Sequence, residues 1–235
     1  QLKGENFVND GKQLVYHEQE NGKRIQWHTL SVPRGGEYKL VLADGTRVWL
    51  NAASELMYPD HFSADQRKVV LKGEAYFEVT KDVKRPFSVV LGDMEVKVLG
   101  TSFNVSAYPG VKRQTTLIEG QVAVNWHRQQ VVIRPGQQAA ETDEGLRVAS
   151  VNVMNYVGWK EHRFVYENKL LGEVLEDLER WYDVEVFVMH DEIRNLHLTA
   201  NLPRYENMDK VLEIIEYAAC VKFEVKGRTV VVRRD

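Results

Sequence analysis

Between Leu30 and Val151 apolar and polar residues alternate, and this period of two limits what the chain can fold into. Ala75, Phe77 and Val79 alternate with Glu74, Tyr76 and Glu78. Phe103, Val105 and Ala107 alternate with Ser102, Asn104 and Ser106, and Val122, Val124 and Trp126 with Gln121, Ala123 and Asn125. Successive side chains of a strand point to opposite faces, so the pattern reads as strands with one packed and one solvated face. Turn signals separate them: Asp44-Gly45, Lys72-Gly73, Gly92-Asp93, Pro109-Gly110, Glu119-Gly120, Pro135-Gly136 and Glu144-Gly145. Many short strands between such turns predict a mainly β domain, as a sandwich, a roll or a solenoid-like coil. The clearest local prediction is a hairpin, with runs 38–43 and 47–51 flanking Asp44-Gly45 and with Pro33 and Gly35-Gly36 excluding a helix before it.

After Val151 the period lengthens. Leu170, Leu171, Val174, Leu175, Leu178, Trp181 and Tyr182 fall at helical spacing, with Asn168 as a candidate N-cap. Strands are predicted over 163–166 and 184–189 on either side of this helix. A strand over 197–202, a break at Pro203, a second helix through Met208, Val211, Leu212, Ile215 and Ala219, and a hairpin turning on Lys226-Gly227 complete the pattern. The order β-α-β-β-α-β-β predicts a small α+β domain with its helices on one face of a sheet. The division expected is a linker over 1–28, with an edge strand as the alternative there, a β domain over 29–151, a second linker over 152–161 and an α+β domain over 162–235.

Composition narrows the function classes. The net charge of −3 gives no electrostatic case for nucleic acid. A single cysteine, Cys220, excludes an intrachain disulfide and a cysteine-rich metal centre; its apolar helical setting predicts a buried thiol. The seven histidines show no ligand spacing, and nucleotide-binding and hydrolase motifs are lacking, so neither a metal nor a cofactor is expected. The first residue is glutamine, which reads as a trimmed or processed chain.

Glu74 and Glu78 are the most enzyme-like pair, because two carboxylates on one strand face can serve glycoside hydrolysis. Four residues of strand separate their Cα atoms by ~13 Å. Carboxyl separations of ~5–5.5 Å or ~6.5–9.5 Å are what retaining and inverting enzymes need. A solvated strand face is therefore the favoured reading. Trp49, Tyr58, Trp126 and Trp159 could form a sugar-binding platform, which keeps a carbohydrate-binding or adhesive β-module as the alternative function.

Five blocks, in order, carry a resemblance: LSVPRGGEYKLVLADGTRVWLNAASELMYP, GEAYFEVTKDVKRPFSV, VLGTSFNVSAY, TTLIEGQVAV and PGQQA. They resemble the FecR family of sigma-factor regulators, in the form common in the Bacteroidetes. FVYENKLLGEVLEDLERWYDVEV resembles the C-terminal domain of those proteins, which is similar to the short N-terminal domain of secretins and TonB-dependent receptors. The resemblance implies a periplasmic region joined by a transmembrane helix to a short cytoplasmic part that meets an extracytoplasmic-function sigma factor. It implies as partner the signalling domain of an outer-membrane TonB-dependent transporter, docking on the C-terminal domain. Some FecR-like regulators also split themselves at a Gly-Thr bond, which makes Gly100 and Thr101 candidates for an N-to-O acyl shift; a β-bulge at Gly100 is the plainer reading.

Overall fold

The structure is a computed structural model and describes residues 2–3, 7–9, 13–16, 24–205 and 207–235. It divides into two compact units, Gln1–Pro33 with Glu37–Val153, and Arg34–Gly36 with Met154–Asp235.

Among the described residues the first unit is all β. Its strands are β1 (Leu2–Lys3), β2 (Phe7–Asn9), β3 (Gln13–Tyr16), β4 (Trp27–Val32), β5 (Tyr38–Val41), β6 (Arg47–Leu50), β7 (Ser54–Pro59) and β8 (Arg67–Glu78). Then follow β9 (Phe87–Leu91), β10 (Met94–Val98), β11 (Ser102–Ala107), β12 (Gln114–Glu119), β13 (Val122–Trp126), β14 (Gln129–Ile133), β15 (Gln137–Thr142) and β16 (Gly145–Ser150). All sixteen join one sheet with two branches. One runs β1-β2-β3-β5-β6-β8-β11-β12-β15-β16; the other runs β4-β7-β8-β9-β10-β13-β14.

Strand β8 belongs to both branches and explains the architecture. Its first half pairs with β7 and β9, and its second half with β6 and β11. The bend falls at Gly73, at φ +92°, where a Cβ would lie 2.7 Å from the Cα of Ser54. Only glycine allows that approach. Lys72-Gly73, read from the sequence as a turn, is thus a bend inside a twelve-residue strand. Bending lets the two branches close on one core: Val48, Leu50, Phe77, Phe103 and Leu117 from one share a cluster with Leu56, Val69, Phe87, Val96 and Val124 from the other. The result is a folded-over, near-barrel sheet. The segment 1–28, expected as a linker, contributes β1 to β3 and the start of β4, with β3 running parallel to β5.

The predicted hairpin is β5–β6, with Tyr38 opposite Leu50 and Val41 opposite Arg47. Its loop is longer than a two-residue Asp-Gly turn, because the backbone closes through Leu42 N–H to Thr46 O (2.9 Å) and Gly45 N–H to Leu42 O (2.9 Å). Asp44 accepts from the Thr46 amide and hydroxyl and takes a 2.7 Å bond from Arg67 Nη1. Arg67 is completely buried, and it also donates to the carbonyls of Thr80 (2.8 Å) and Arg85 (2.9 Å).

A second ionic clamp joins the branches at Arg113. It donates to Glu141 on β15 and to Asp93 in the β9–β10 turn, and its guanidinium lies 5.4 Å from the Trp126 ring. The Arg113 hydrogen bond holds both carboxyls below their ordinary range. A carboxylate depressed in the folded state stabilises at neutral pH, and that contribution is lost as pH falls through its folded value. The urea midpoint is therefore expected to fall as pH drops below about 4, the ordinary carboxylate range. Arg113→Met should flatten that dependence, read by urea titrations at stepped pH.

The second unit begins with α1 (Met154–Val157) and a 3-10 turn, Gly158–Glu161, in a stretch expected to be a linker; Val157 and Trp159 are buried there. Then follow β17 (Arg163–Leu170), α2 (Leu171–Tyr182), β18 (Glu185–Val188), β19 (His197–Pro203), α3 (Met208–Ala219), β20 (Val221–Lys226) and β21 (Thr229–Arg234), with a 3-10 turn at Asp191–Asn195. The strands form two sheets rather than one: β17 with β19, and β18-β21-β20. Helix α2 touches β17, β18 and β19, and α3 touches β19 and β20, so both helices pack against both sheets. Phe164, Leu198, Val174, Leu175, Leu212, Ile215, Val221 and Val232 share one core.

Two local expectations fail in this unit. Asn168 does not cap α2; it sits at φ +51° in the bulge where β17 shifts register against β19, and Leu170 takes the N-cap position without a side-chain bond. Asn tolerates the left-handed conformation that such a bulge demands. Cys220 is exposed rather than buried. It is the left-handed C-cap of α3, past the end of the helix's apolar stripe.

Candidate interaction surface

Glu74 and Glu78 project from β8 on the face opposite Phe77. The β8–β11 register runs unbroken from Gly73 to Glu78, so the ~13 Å Cα separation of a regular strand persists. Glu74 accepts from Asn51 Nδ2 (2.7 Å) and Asn104 Nδ2 (2.9 Å), whereas Glu78 pairs with Arg47 at 2.5 Å. Buried Tyr76 stands between them, edge-on to Trp49. The two carboxylates tie neighbouring strands together and do not converge on one point.

The four aromatics do not make a platform. Tyr58 and Trp159 are buried, Trp49 packs on Tyr76 beneath Lys39, and Trp126 donates its indole N–H to Asp93.

Gly100 and Thr101 lie between β10 and β11. A Cβ at Gly100 would meet the Lys81 Cα at 2.6 Å, so close backbone packing accounts for the glycine. The Thr101 hydroxyl donates to the Gln121 carbonyl at 3.1 Å. That carbonyl orients the hydroxyl but cannot take its proton, so an acyl shift would require a base from elsewhere. Mass spectrometry of the purified protein tests the scission directly: fragments ending at Gly100 would establish it, and a single intact mass would exclude it.

The second unit offers backbone and apolar surface. Helices α2 and α3 have equal length and the same ending. Each closes on a left-handed C-cap, Asp183 or Cys220, whose amide bonds the carbonyl of a last-turn glutamate, Glu179 or Glu216. The side chain of each glutamate accepts the backbone amide seven residues on: Val186 to Glu179 at 2.8 Å, and Phe223 to Glu216 at 2.7 Å. Val186 and Phe223 lie on β18 and β20, the two edges of the three-stranded sheet. The halves thus repeat at an offset of 37 residues, Leu171 to Met208 and Tyr182 to Ala219. The repeat was visible as Val174-Leu175-Glu176 and Val211-Leu212-Glu213, a signal too short to stand out before the helices were aligned.

The edges differ in character. On β20 the alternate residues Lys222, Glu224 and Lys226, which share one face of the strand, are charged, the usual protection of an open strand. On β18, Phe187 is 56% exposed, and Met189 just beyond its end is 60% exposed. The C-terminal half of α2 is also fixed by charge and stacking. Burial works to raise the Asp177 carboxyl, but Lys169 and Arg180 outweigh it and hold it low. Arg204 stacks on Trp181 at 4.4 Å, and Tyr182, its hydroxyl pushed up to about 12 by burial, donates to the Tyr205 carbonyl.

The same two regions match known families. The family "FecR protein" matches residues 28–123, and "FecR, C-terminal" matches 163–232. Two crystal structures from Parabacteroides distasonis ATCC 8503, each described as a "putative anti-sigma factor", are similar along nearly their whole length. One is 26% identical with a TM-score of 0.83, covering 88% of this chain and 99% of that one. The other has the same identity and TM-score over 89% and 100%. No curated protein matches the chain significantly. With both parts present, in order, and each folded as a unit of its own, this chain belongs to the FecR family.

Proposed function

We propose that this chain is the periplasmic part of a membrane-anchored anti-sigma factor, relaying a signal from an outer-membrane TonB-dependent transporter to an extracytoplasmic-function sigma factor. Membership of the FecR family, with neighbours named as anti-sigma factors, supports a sigma regulator rather than an enzyme. Among the described residues no helix is long and apolar enough to cross a membrane. In this reading the anchor and the sigma-binding segment belong to other parts of the polypeptide.

The observation that carries the relay is the second unit. It presents a small sheet with two edges, and strand addition to a sheet edge is a general mode of protein docking. Calorimetry of the full chain against the signalling domain of its cognate transporter tests the reading. Saturable binding that leaves the isolated β unit out of the interface supports it. Absence of heat and of complex on size exclusion would sink it.

A further inference from the structure

We infer that the outer edge of β18 is an association surface held closed by the Glu179 carboxylate, and that its occupant, once that guard is removed, is a second copy of this chain. The inference stands apart from the transporter relay and rests on the geometry of one strand.

Among the described residues, strand β18 pairs only with β21, in parallel. The amides of Glu185 and Met189 face that partner, bonding Arg228 O at 2.8 Å and Val232 O at 2.9 Å. In a parallel strand alternate residues turn both backbone groups to the same side. Val186 and Val188 therefore turn their amides and carbonyls outward. The Val186 amide is engaged by Glu179 Oε1, from the last turn of α2. An incoming strand needs that amide, so the carboxylate competes with it directly.

The identity of the occupant follows from register. Two copies of β18 running antiparallel, with Val186 opposite Val188 of the other copy, match outward groups to outward groups at both positions. Phe187 then faces its own equivalent at the centre, in the non-hydrogen-bonded position where side chains approach most closely. Glu185 falls opposite Met189 of the other copy, so no like charges meet. The exposed apolar side chains, Phe187 and Met189, are the ones this pairing covers. Exposed apolar side chains on an unpaired strand edge promote edge-to-edge association, and a side chain seated on its amide blocks it.

The test uses the full chain in sedimentation velocity over a range of concentrations. Wild type and Glu179→Gln, which keeps an acceptor oxygen at the same place, are expected to hold the mass of one chain. Glu179→Ala is expected to approach a doubling of weight-average mass as concentration rises, and adding Phe187→Lys should return it to one chain. Glu179→Ala remaining at single-chain mass would overturn the proposal, as would a dimer indifferent to Phe187→Lys or a wild type that dimerises as readily. Amide exchange on the wild type is a second measurement that needs no variant to fold: the Val186 amide should exchange more slowly than that of Val188, and equal rates would refute the guard.

Discussion

Replacing Arg67 with alanine is expected to destabilise the β unit by about 3–5 kcal/mol, the cost of leaving one member of a buried ion pair without its partner. Arg67 is 0% exposed and its partner Asp44 is nearly so, with side-chain exposures of 1% and 6% in the pair. Truncation would strand the Asp44 carboxylate and open the carbonyls of Thr80 and Arg85, which the guanidinium now satisfies. It would also remove a cation lying 5.5 Å from the Phe87 ring. The pair has a weakness of its own, because Arg67 Nη2 is buried without a hydrogen bond. Buried ion pairs often gain little over an apolar replacement of both partners. The double variant Arg67→Met with Asp44→Ala should therefore cost less than the two single changes added together. Urea midpoints for the four proteins would give the coupling, and strict additivity would contradict this account.

Phe77→Ala should cost a similar amount, about 3–5 kcal/mol, by the different route of an unfilled cavity. Phe77 is 0% exposed, stacks on Phe103 with centroids 5.2 Å apart, and tilts against Phe87 at 6.1 Å. Phe77 and Phe103 come from the branch containing β6 and β11, and Phe87 from the branch containing β9. The ring fills the space between branches, where stiff strands on both sides limit collapse. Phe77→Leu keeps most of the volume and should recover much of the loss, whereas a surface change such as Lys97→Ala should move the midpoint little. A Phe77→Ala midpoint equal to wild type would mean that the two branches do not share a core.

Much of this organisation was legible in the chain. Alternation at Ala75 and Phe77 named a buried face of β8 correctly, because strand geometry leaves only two faces and one must pack, although Tyr76 on the opposite face is buried as well. The seven elements after His162 follow in the expected order for the same kind of reason, since helical and strand periods differ too much to confuse over such lengths. Errors arose where one residue type suits two backbone settings. Gly73 served a bend and not a turn, Asn168 a bulge and not a cap, and Cys220 an exposed C-cap and not a core position. Each choice depends on what lies opposite in space, such as Ser54 beside Gly73. The candidate site was less legible still. Glu74 and Glu78 stood out by spacing alone, yet each bonds to a strand neighbour distant in sequence.

The sequence by itself determined the periodicities, and through them a β-rich part followed by a small α+β part, and its ordered blocks identified the family. Tertiary structure decided how the strands were shared. Which strand bends to serve two branches, that Asp44 in a loop neutralises a buried Arg67, and that Glu179 and Glu216 seat on the two open edges of one small sheet all depend on pairings between distant residues. Local backbone preference acts over a few residues, whereas burial and hydrogen-bond satisfaction act on whatever the folded chain brings together. The roles of Arg67, Phe77 and Glu179 are of this second kind.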